Sequence, residues 1–591
     1  MWSYLEYLVS RVPLARSLLP VSDGQEVLTR AVELARADHA PAPARSGDAP
    51  LISFVAPVYN APPAWIDDLV NSFAAQAASG VPCELVLSDD ASPSEATRAR
   101  LVECESQPGV RVVRGEQNGG IAVATNRGLA AARGEWVGLI DHDDALAPFA
   151  VERIARALAA RPDCAFLYTD EIIANRWMRP ETVFLKPAFD EALLSGVNYI
   201  NHLSLYRRDR LMELGGLRVG FEGSQDYDLV LRYTKDLPRS RILHLPYPAY
   251  IWRRDGASYS ARFLGKATDS ARRALGERYA ADGAPATVGP AMTPDLHRVR
   301  FDARKTAWPR VSVVIPSKDR LELISRTLEG LTRGTDYPDF EIIVIDNGSQ
   351  DPAVLDLYAR HREGNIPFRA EIRPESFNFS RSINRGLGLA GGDLILLLNN
   401  DIEVVDPGWL KEMVSCLEYE GTGIVGARLL YPDGTIQHAG VIVGFGGLAG
   451  HWYVGEKGDH PGPMGRLRVR QGYSCVTGAC FLITRACLGA VGPLDEEAFA
   501  IAYNDVDFCM RALAAGFRIV WTPFATLIHH ESASRGSDEL PATIERFRRE
   551  QANLRDRHRT DLYEDPACNP WYTKGRSNPG IARLTSLPPP R

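Results

Sequence analysis

One long stretch of this chain occurs twice. VATNRGLAAARGEWVGLIDHDD (Val123 to Asp144) aligns with SINRGLGLAGGDLILLLNND (Ser382 to Asp401), and Asn126-Arg127-Gly128 falls on Asn384-Arg385-Gly386, 258 residues further on. The register holds elsewhere: Ser53 precedes Ser312 by 259 residues, Asp89 precedes Asp346 by 257, and Asp141 precedes Asn399 by 258. Solenoid units repeat every 20 to 50 residues or so. A spacing this long therefore duplicates a whole domain.

Each copy opens on an apolar run that ends in a turn, LISFVAPVYN (Leu51 to Asn60) and VSVVIPSKDR (Val311 to Arg320). A helical stretch and a second apolar run follow in both, LVLSDDAS (Leu85 to Ser92) and EIIVIDNGS (Glu341 to Ser349). Strand, helix, strand is a βαβ unit, so the fold class is α/β, two tandem domains each built on a mostly parallel sheet flanked by helices. The divisions are 1–49 for an N-terminal helix and linker, 50–265 for the first domain, 266–308 for a helix and interdomain linker, 309–540 for the second domain, and 541–591 for a C-terminal helix and tail. The linkers rest on the Pro- and Ala-rich DHAPAPARSGDAP (Asp38 to Pro50) and the Pro- and Gly-rich DGAPATVGPAMTP (Asp282 to Pro294).

Hydrophobic residues at 45% and charged residues at 24% give the balance of a soluble globular protein. A net charge of −7 over 591 residues leaves no broad basic surface for nucleic acid. The nine cysteines form no CxxC pair and sit mostly in apolar runs, which implies buried thiols in a reducing compartment. With no apolar run of bilayer-spanning length and no signal peptide, the expected location is cytoplasmic. MWSYLEYLVSRVPLARSLL (Met1 to Leu19) has apolar residues at helical spacing and fits a helix packed on its own domain, or one lying on a membrane surface or partner.

Ligands of parallel sheets gather beyond the carboxyl ends of the strands, and there the carboxylates stand. GLIDHDD delivers Asp141, Asp143 and Asp144 side by side after a strand, a hard-oxygen set for Mg²⁺ or Mn²⁺ and a diphosphate. In the second copy LLLNND keeps only Asp401 as a carboxylate, with Asn399 and Asn400 able to hydrogen-bond ribose or phosphate. Asp89-Asp90, matched by Asp346-Asn347, can accept from a base N–H or a ribose hydroxyl, although both residue types also form turns. GSQDYDLVLR and YNDVDFCMR put Asp226 and Asp505 at the start of helix-like runs. That position suits an N-cap, or an ionised carboxylate that takes a proton from an attacking hydroxyl. TLIHHES brings His529 and His530 to a strand end, where alternation turns one of them to the site.

Both halves, over roughly residues 50 to 260 and 309 to 535, resemble family 2 glycosyltransferases, inverting enzymes with the A-type nucleotide-diphospho-sugar fold. The second half is especially similar to rhamnosyl- and related transferases of bacterial O-antigen and capsule assembly, through Phe377-Asn378-Phe379-Ser380, LLNND, YPDGTIQHAGVIVG (Tyr431 to Gly444), VTGACFLITR (Val476 to Arg485), NDVDFCMR and HHES. The resemblance implies nucleobase contact at Asp89 or Asp90 and at Asp346 or Asn347. It implies metal and diphosphate ligation in the DHDD and NND runs, foremost at Asp143 and Asp401, general bases at Asp226 and Asp505, and a metal-completing histidine at His529. It further implies a divalent metal, a nucleotide-sugar donor, a glycan acceptor that is lipid-linked, and peripheral contact with the inner membrane. Two positions depart from the family: Asn399 replaces the first aspartate of DxD, and AYIWRRDGAS carries Ile251 and Asp255 where histidines are usual.

The mechanism this implies is a single displacement with inversion, in which an acceptor hydroxyl deprotonated by Asp505 or Asp226 attacks as the nucleoside diphosphate leaves. Divergence between the two sites implies different linkages on one glycan. The rival readings are a first domain that only binds the acceptor, a nucleotidyltransferase, which lacks its Gly-rich triphosphate loop here, and a non-enzymatic scaffold.

Overall fold

The computed structural model describes residues 21–39, 49–254, 264–283, 286–301, 307–530 and 543–591. The segment Met1 to Leu19 and Asp255, both singled out above, lie outside them.

In the first half β1 (Ile52–Val58), β2 (Cys83–Asp89), β3 (Val110–Arg114) and β4 (Trp136–Leu139) pair in parallel, in the order β3-β2-β1-β4. β1 is buried along nearly its whole length, as expected of a strand covered on both faces. β5 (Ala145–Leu146), β6 (Phe166–Asn175), β7 (Pro180–Phe184), β8 (Ser204–Arg207) and β9 (Ile242–Arg254) extend the sheet to β3-β2-β1-β4-β8-β6-β9-β5, with β7 on the edge of β6. β8 runs antiparallel to both of its neighbours, in a sheet whose other inner pairings, β3-β2-β1-β4 and β6-β9, are parallel. Residue alternation identifies a strand but carries no information on its direction.

The second half repeats the plan after a hairpin of β10 (Thr287–Pro290) and β11 (His297–Arg300). β12 (Val311–Ser317), β13 (Phe340–Asp346), β14 (Phe368–Ile372), β15 (Leu394–Leu398), β16 (Ile402–Val404) and β17 (Thr422–Leu430) are followed by β18 (Ile436–His438), β19 (Val441–Val443), β20 (Ala449–His451), β21 (Gln471–Gly472), β22 (Cys480–Thr484) and β23 (Arg518–His529). The main path is β14-β13-β12-β15-β22-β17-β23-β16. The order matches the first sheet strand for strand.

The duplicated Asn-Arg-Gly owes its recurrence to packing. Asn126 closes a paired amide contact with the Leu217 backbone at 2.8 and 2.9 Å, and Asn384 does the same with Leu494 at 2.9 and 2.9 Å. Arg127 donates to the Asp89 carbonyl at 3.0 Å, and Arg385 pairs with Glu375. Gly128 and Gly386 sit where their helices cross the central strand, and a Cβ on either would collide with Val55 or Val314. One acidic pair recurs in the same way. Asp228 is bound by Arg218 and, at 2.9 Å, by Arg232, while Asp507 is bound by Arg511 at 2.8 Å and His558 at 2.8 Å. Each Asp-x-Asp thus commits its second carboxylate to an arginine one turn along the helix.

The stretch taken above as a boundary contains β10, whose Val288 packs against the main core. Val299 and Phe301 share a core with Tyr199 and Tyr227 of the first half and Tyr419 and Val520 of the second. Across the junction Ser195 Oγ lies 2.7 Å from Tyr419 Oη. Beyond the helix Ile544–His558 the chain returns to the first domain. There Trp571 is fully buried and donates to the Pro246 carbonyl at 3.1 Å, Asn569 donates to Asp170 at 2.9 Å, and Arg591 exchanges backbone hydrogen bonds with His244 at 2.8 and 2.7 Å. All nine cysteines are free, and eight are buried. Among the described residues no helix is long and apolar enough to cross a membrane.

Alanine at Gly128 or Gly386 overpacks a helix against the strand that carries its site, and each substitution should cost about 1–3 kcal/mol. The check is a fall in the urea midpoint with an unchanged denaturant slope.

Candidate active site

In the first half the run after β4 is gripped by β9. Tyr250 Oη accepts from the Asp141 amide at 3.0 Å and donates to Asp144 at 2.6 Å, while the Arg253 amide donates to Asp144 at 2.7 Å. Arg253 Nε holds the Asp143 carbonyl at 2.6 Å, and its Nη2 reaches Asp68 at 2.7 Å. Oxygen atoms of Asp141, Asp143 and Asp144 then lie within 4.8 Å of one another. Burial and the neighbouring Asp143 push Asp141 up to about 6, and Asp144, fully buried, is raised well above the usual carboxylate range for the same two reasons and by Asp141. Three carboxylate oxygens this close together form a donor set for a hard cation.

Asp226 stands in the first turn of the helix Gln225–Thr234, beside this cluster. Burial pushes it up to about 6; His202 draws it down and Asp141 draws it up. The sequence reading missed His202, which arrives from the loop before β8. Its Nε2 is 3.7 Å from Asp141 Oδ2 and its ring stacks near Tyr250 at 5.2 Å.

The second half is built differently. Ile402 of β16 pairs with His529 of β23, and His529 Nε2 faces Asp401 Oδ1 at 3.1 Å. Both side chains are about 95% buried, and Asp401 Oδ1 and His529 Nδ1 have no hydrogen-bond partner within the protein. A carboxylate and an imidazole converging in this way also fit a divalent cation. In the first half the matching edge pair is Ala145 with Ile251, whose side chain is packed in an apolar cluster. Of the two histidines, His529 faces the site; His530 points to Glu403 at 2.8 Å and to Arg326.

Asp505, in the first turn of the helix Asn504–Ala514, accepts the Gly478 amide at 2.8 Å, and the next residue, Ala479, accepts the Asn399 amide at 3.0 Å. One short loop thus ties Asp505 to the NND run. Asn400 donates to Ser317 at 3.2 Å and Asn399 Nδ2 lies 3.4 Å from His529. His438, from the QHAG stretch, is fully buried, with Nε2 3.5 Å from the Thr477 amide on the same loop. The family resemblance drew attention to that stretch, but nothing in its spacing indicated what it would touch.

The strand-end residues matched to nucleobase contact are engaged inside the protein. Asp89 accepts the Ser92 amide at 3.1 Å, and Asp90 accepts the Gly119 and Gly120 amides at 3.0 and 2.8 Å. Asp346 accepts from the Gly348 and Ser349 amides, Ser349 Oγ and Tyr358 Oη at 2.6 to 2.9 Å, and Asn347 donates to the Glu375 carbonyl at 2.6 Å. Asp89 and Asp346 do the turn-forming work that Asp also favours, while Asp90 and Asn347 tie the strand ends to the loops that carry Gly119 and Glu375.

A family model described as Glycosyl transferase family 2 matches residues 53–215 and again 312–491. The chain belongs to glycosyltransferase family 2. Its two mixed sheets are two tandem family 2 glycosyltransferase domains. The protein y4gI of Sinorhizobium fredii is 40% identical over 533 residues, covering 89% of this chain and 58% of that protein. The O-antigen biosynthesis protein RfbC of Myxococcus xanthus is 38% identical over 503 residues, covering 84% of this chain and 39% of that one. The chain therefore spans only about half the length, or less, of these relatives. The N-acetylglucosaminyl-diphospho-decaprenol L-rhamnosyltransferase of Mycobacterium tuberculosis is 24% identical over 272 residues, 42% of this chain and 84% of that enzyme. Among solved structures, S. aureus TarS 1-349 aligns with a TM-score of 0.31 at 20% identity, over 39% of this chain and 65% of that one.

A step of this glycosyltransferase that needs Asp226 ionised requires pH above the value to which burial raises that carboxyl, about 6. If Asp226 and Asp505 are the bases of the two halves, then in Asp505→Asn kcat/KM should rise about tenfold per pH unit below 6 and level off above it. A pH–rate profile checks this.

Proposed function

We propose that the chain carries two inverting sites that move sugars from nucleotide-diphosphate donors onto one growing bacterial surface glycan. The observation that carries this reading is that each half sets a helix-borne carboxylate, Asp226 or Asp505, beside the strand-end run that follows its fourth strand. A base and a diphosphate site on one strand edge are what a single displacement needs: the base aligns and deprotonates the acceptor hydroxyl while the leaving phosphate is held opposite.

Asp141, Asp143 and Asp144 would hold a Mg²⁺ or Mn²⁺ ion in the first half, and Asp401 with His529 in the second. Such an ion neutralises charge growing on the departing diphosphate. Of the residues matched to the donor, Asn399 and Asn400 edge the second site. Asp89, Asp90, Asp346 and Asn347 would act through the loops they hold. The likeness to RfbC supports a surface polysaccharide product, and the likeness to the decaprenol-linked rhamnosyltransferase supports a lipid-linked acceptor met at the cytoplasmic face of the inner membrane. The second reading, a first domain that only positions the acceptor, is favoured by one observation: Ile251 holds the edge position of His529.

Base removal separates the two readings. Asp505→Asn and Asp226→Asn should each lower one transfer by 10²- to 10⁴-fold while leaving donor binding near normal, and mass spectrometry with NMR of the products should show a different linkage missing in each. If Asp226→Asn leaves the product and its rate unchanged, the first domain is accessory. Asp401→Ala should weaken nucleoside diphosphate binding at least tenfold with Mn²⁺ present and less than twofold in EDTA, measured by calorimetry.

A further inference from the structure

His202 is held more firmly than a loop residue needs to be. Its amide donates to Glu171 Oε2 at 2.9 Å, and its carbonyl accepts from Lys186 Nζ, which also donates to the Ile200 carbonyl at 2.7 Å. Lys186 is fully buried, Glu171 is 1% exposed, and the two lie 3.6 Å apart. A buried ion pair is costly to install and contributes little net stability, so its better-attested role is to impose one geometry. Here that geometry is the placement of His202. The ring lies against Tyr250, the same side chain that grips Asp141 and Asp144. Its side chain remains 17% exposed, with Nε2 turned to Asp141.

Among the described residues the matching place in the second half holds no histidine. Leu139 and Leu397 both pair with the matching residue of the central strand, Val55 and Val314. Across from them stand Ser204 and Phe481. Two residues earlier lie His202 in one half and Ala479 in the other. Among the described residues the Lys186 ammonium and the Glu171 carboxylate bond to each other and to this loop.

Resting on the reading of the first half as a donor site, we propose that His202 is a sugar-contacting, specificity-determining residue of that site. It lies 3.7 Å from Asp141 of the strand-end cluster, where a diphosphate would be held, and near enough to Asp226, where an acceptor hydroxyl would be deprotonated, to act on its charge. The transferred sugar has to occupy the space between those two groups. An imidazole there offers a hydrogen bond to a sugar hydroxyl that Ala479 cannot offer in the second half. The two sites then select different sugars through a residue outside every repeated motif.

The test separates sugar binding from nucleotide binding. In the full chain carrying Asp401→Ala, to weaken the second site, calorimetry with Mn²⁺ measures affinity for UDP, GDP and dTDP and for a panel of their sugar derivatives. His202→Ala should leave the nucleoside diphosphate affinity within twofold and lower that of the preferred nucleotide sugar at least tenfold. His202→Gln, which keeps a donor and a similar reach, should recover most of the loss and covers the case in which the alanine variant folds poorly. Equal losses for diphosphate and sugar derivative, no loss for either, or a first site that binds neither series would each overturn the inference. Turnover of Asp226→Asn reports separately on the two-site reading: a catalytically silent first half whose sugar affinity still depends on His202 sinks that reading and leaves this one standing.

Discussion

Carboxylates buried side by side repel, and the first half is organised around holding three of them together. Asp141, Asp143 and Asp144 lie within 4.8 Å of one another, and two of them are pushed up the pH scale by the company they keep. The restraint comes from β9, whose Tyr250 and Arg253 bind the run by side chain and backbone. Asp144 is fully buried and the other two are half-buried, so a cation among them would offset their repulsion. The second half meets the same demand with one carboxylate and an imidazole. The sheet order is kept in both, and the chemistry at its edge has been rebuilt.

Much of this was legible in the sequence, for definable reasons. The repeat showed two copies of one domain, and the strand-end runs DHDD and NND were visible because a polar group after an apolar strand has few other places to be. His529 could be named but not told apart from His530, since strand alternation says that one of two neighbours faces the site without saying which. The pairing of Ile402 with His529 decides it. Asp89 and Asp346 were ambiguous for a different reason: the residues that contact a ribose are also the residues that make turns, and here they are engaged in turns. His202 was illegible because it is delivered by a long loop and clamped by Lys186 and Glu171, two residues that carry no motif. The reversed direction of β8 and the hairpin inside the presumed linker escaped for a related reason. Composition marks Gly- and Pro-rich stretches as breaks, yet Val299 and Phe301 just beyond this one help seal the junction between the halves.

The duplication also shows which residues a fold keeps and which a site changes. Asn126 and Asn384, Gly128 and Gly386, and Asp228 and Asp507 make matching contacts, because helix and strand must meet in the same way in each copy. Asp141 against Asn399, Ile251 against His529 and His202 against Ala479 have parted. The parted positions all lie along one sheet edge. Changes at that edge, over sheets of the same strand order, are what two sites under separate demands would show.

The return of the chain after the second domain has a consequence for how the protein is made. Trp571 is buried among first-domain side chains, and Arg591 pairs its backbone with His244. On a ribosome the amino-terminal domain usually folds first, as its residues emerge. Here its core stays open until residues 565–591 have been synthesised, several hundred positions later. The two domains are therefore successive in sequence but simultaneous in completion, and a cut between them would yield one half with an unsealed wall and another trailing the piece that closes it.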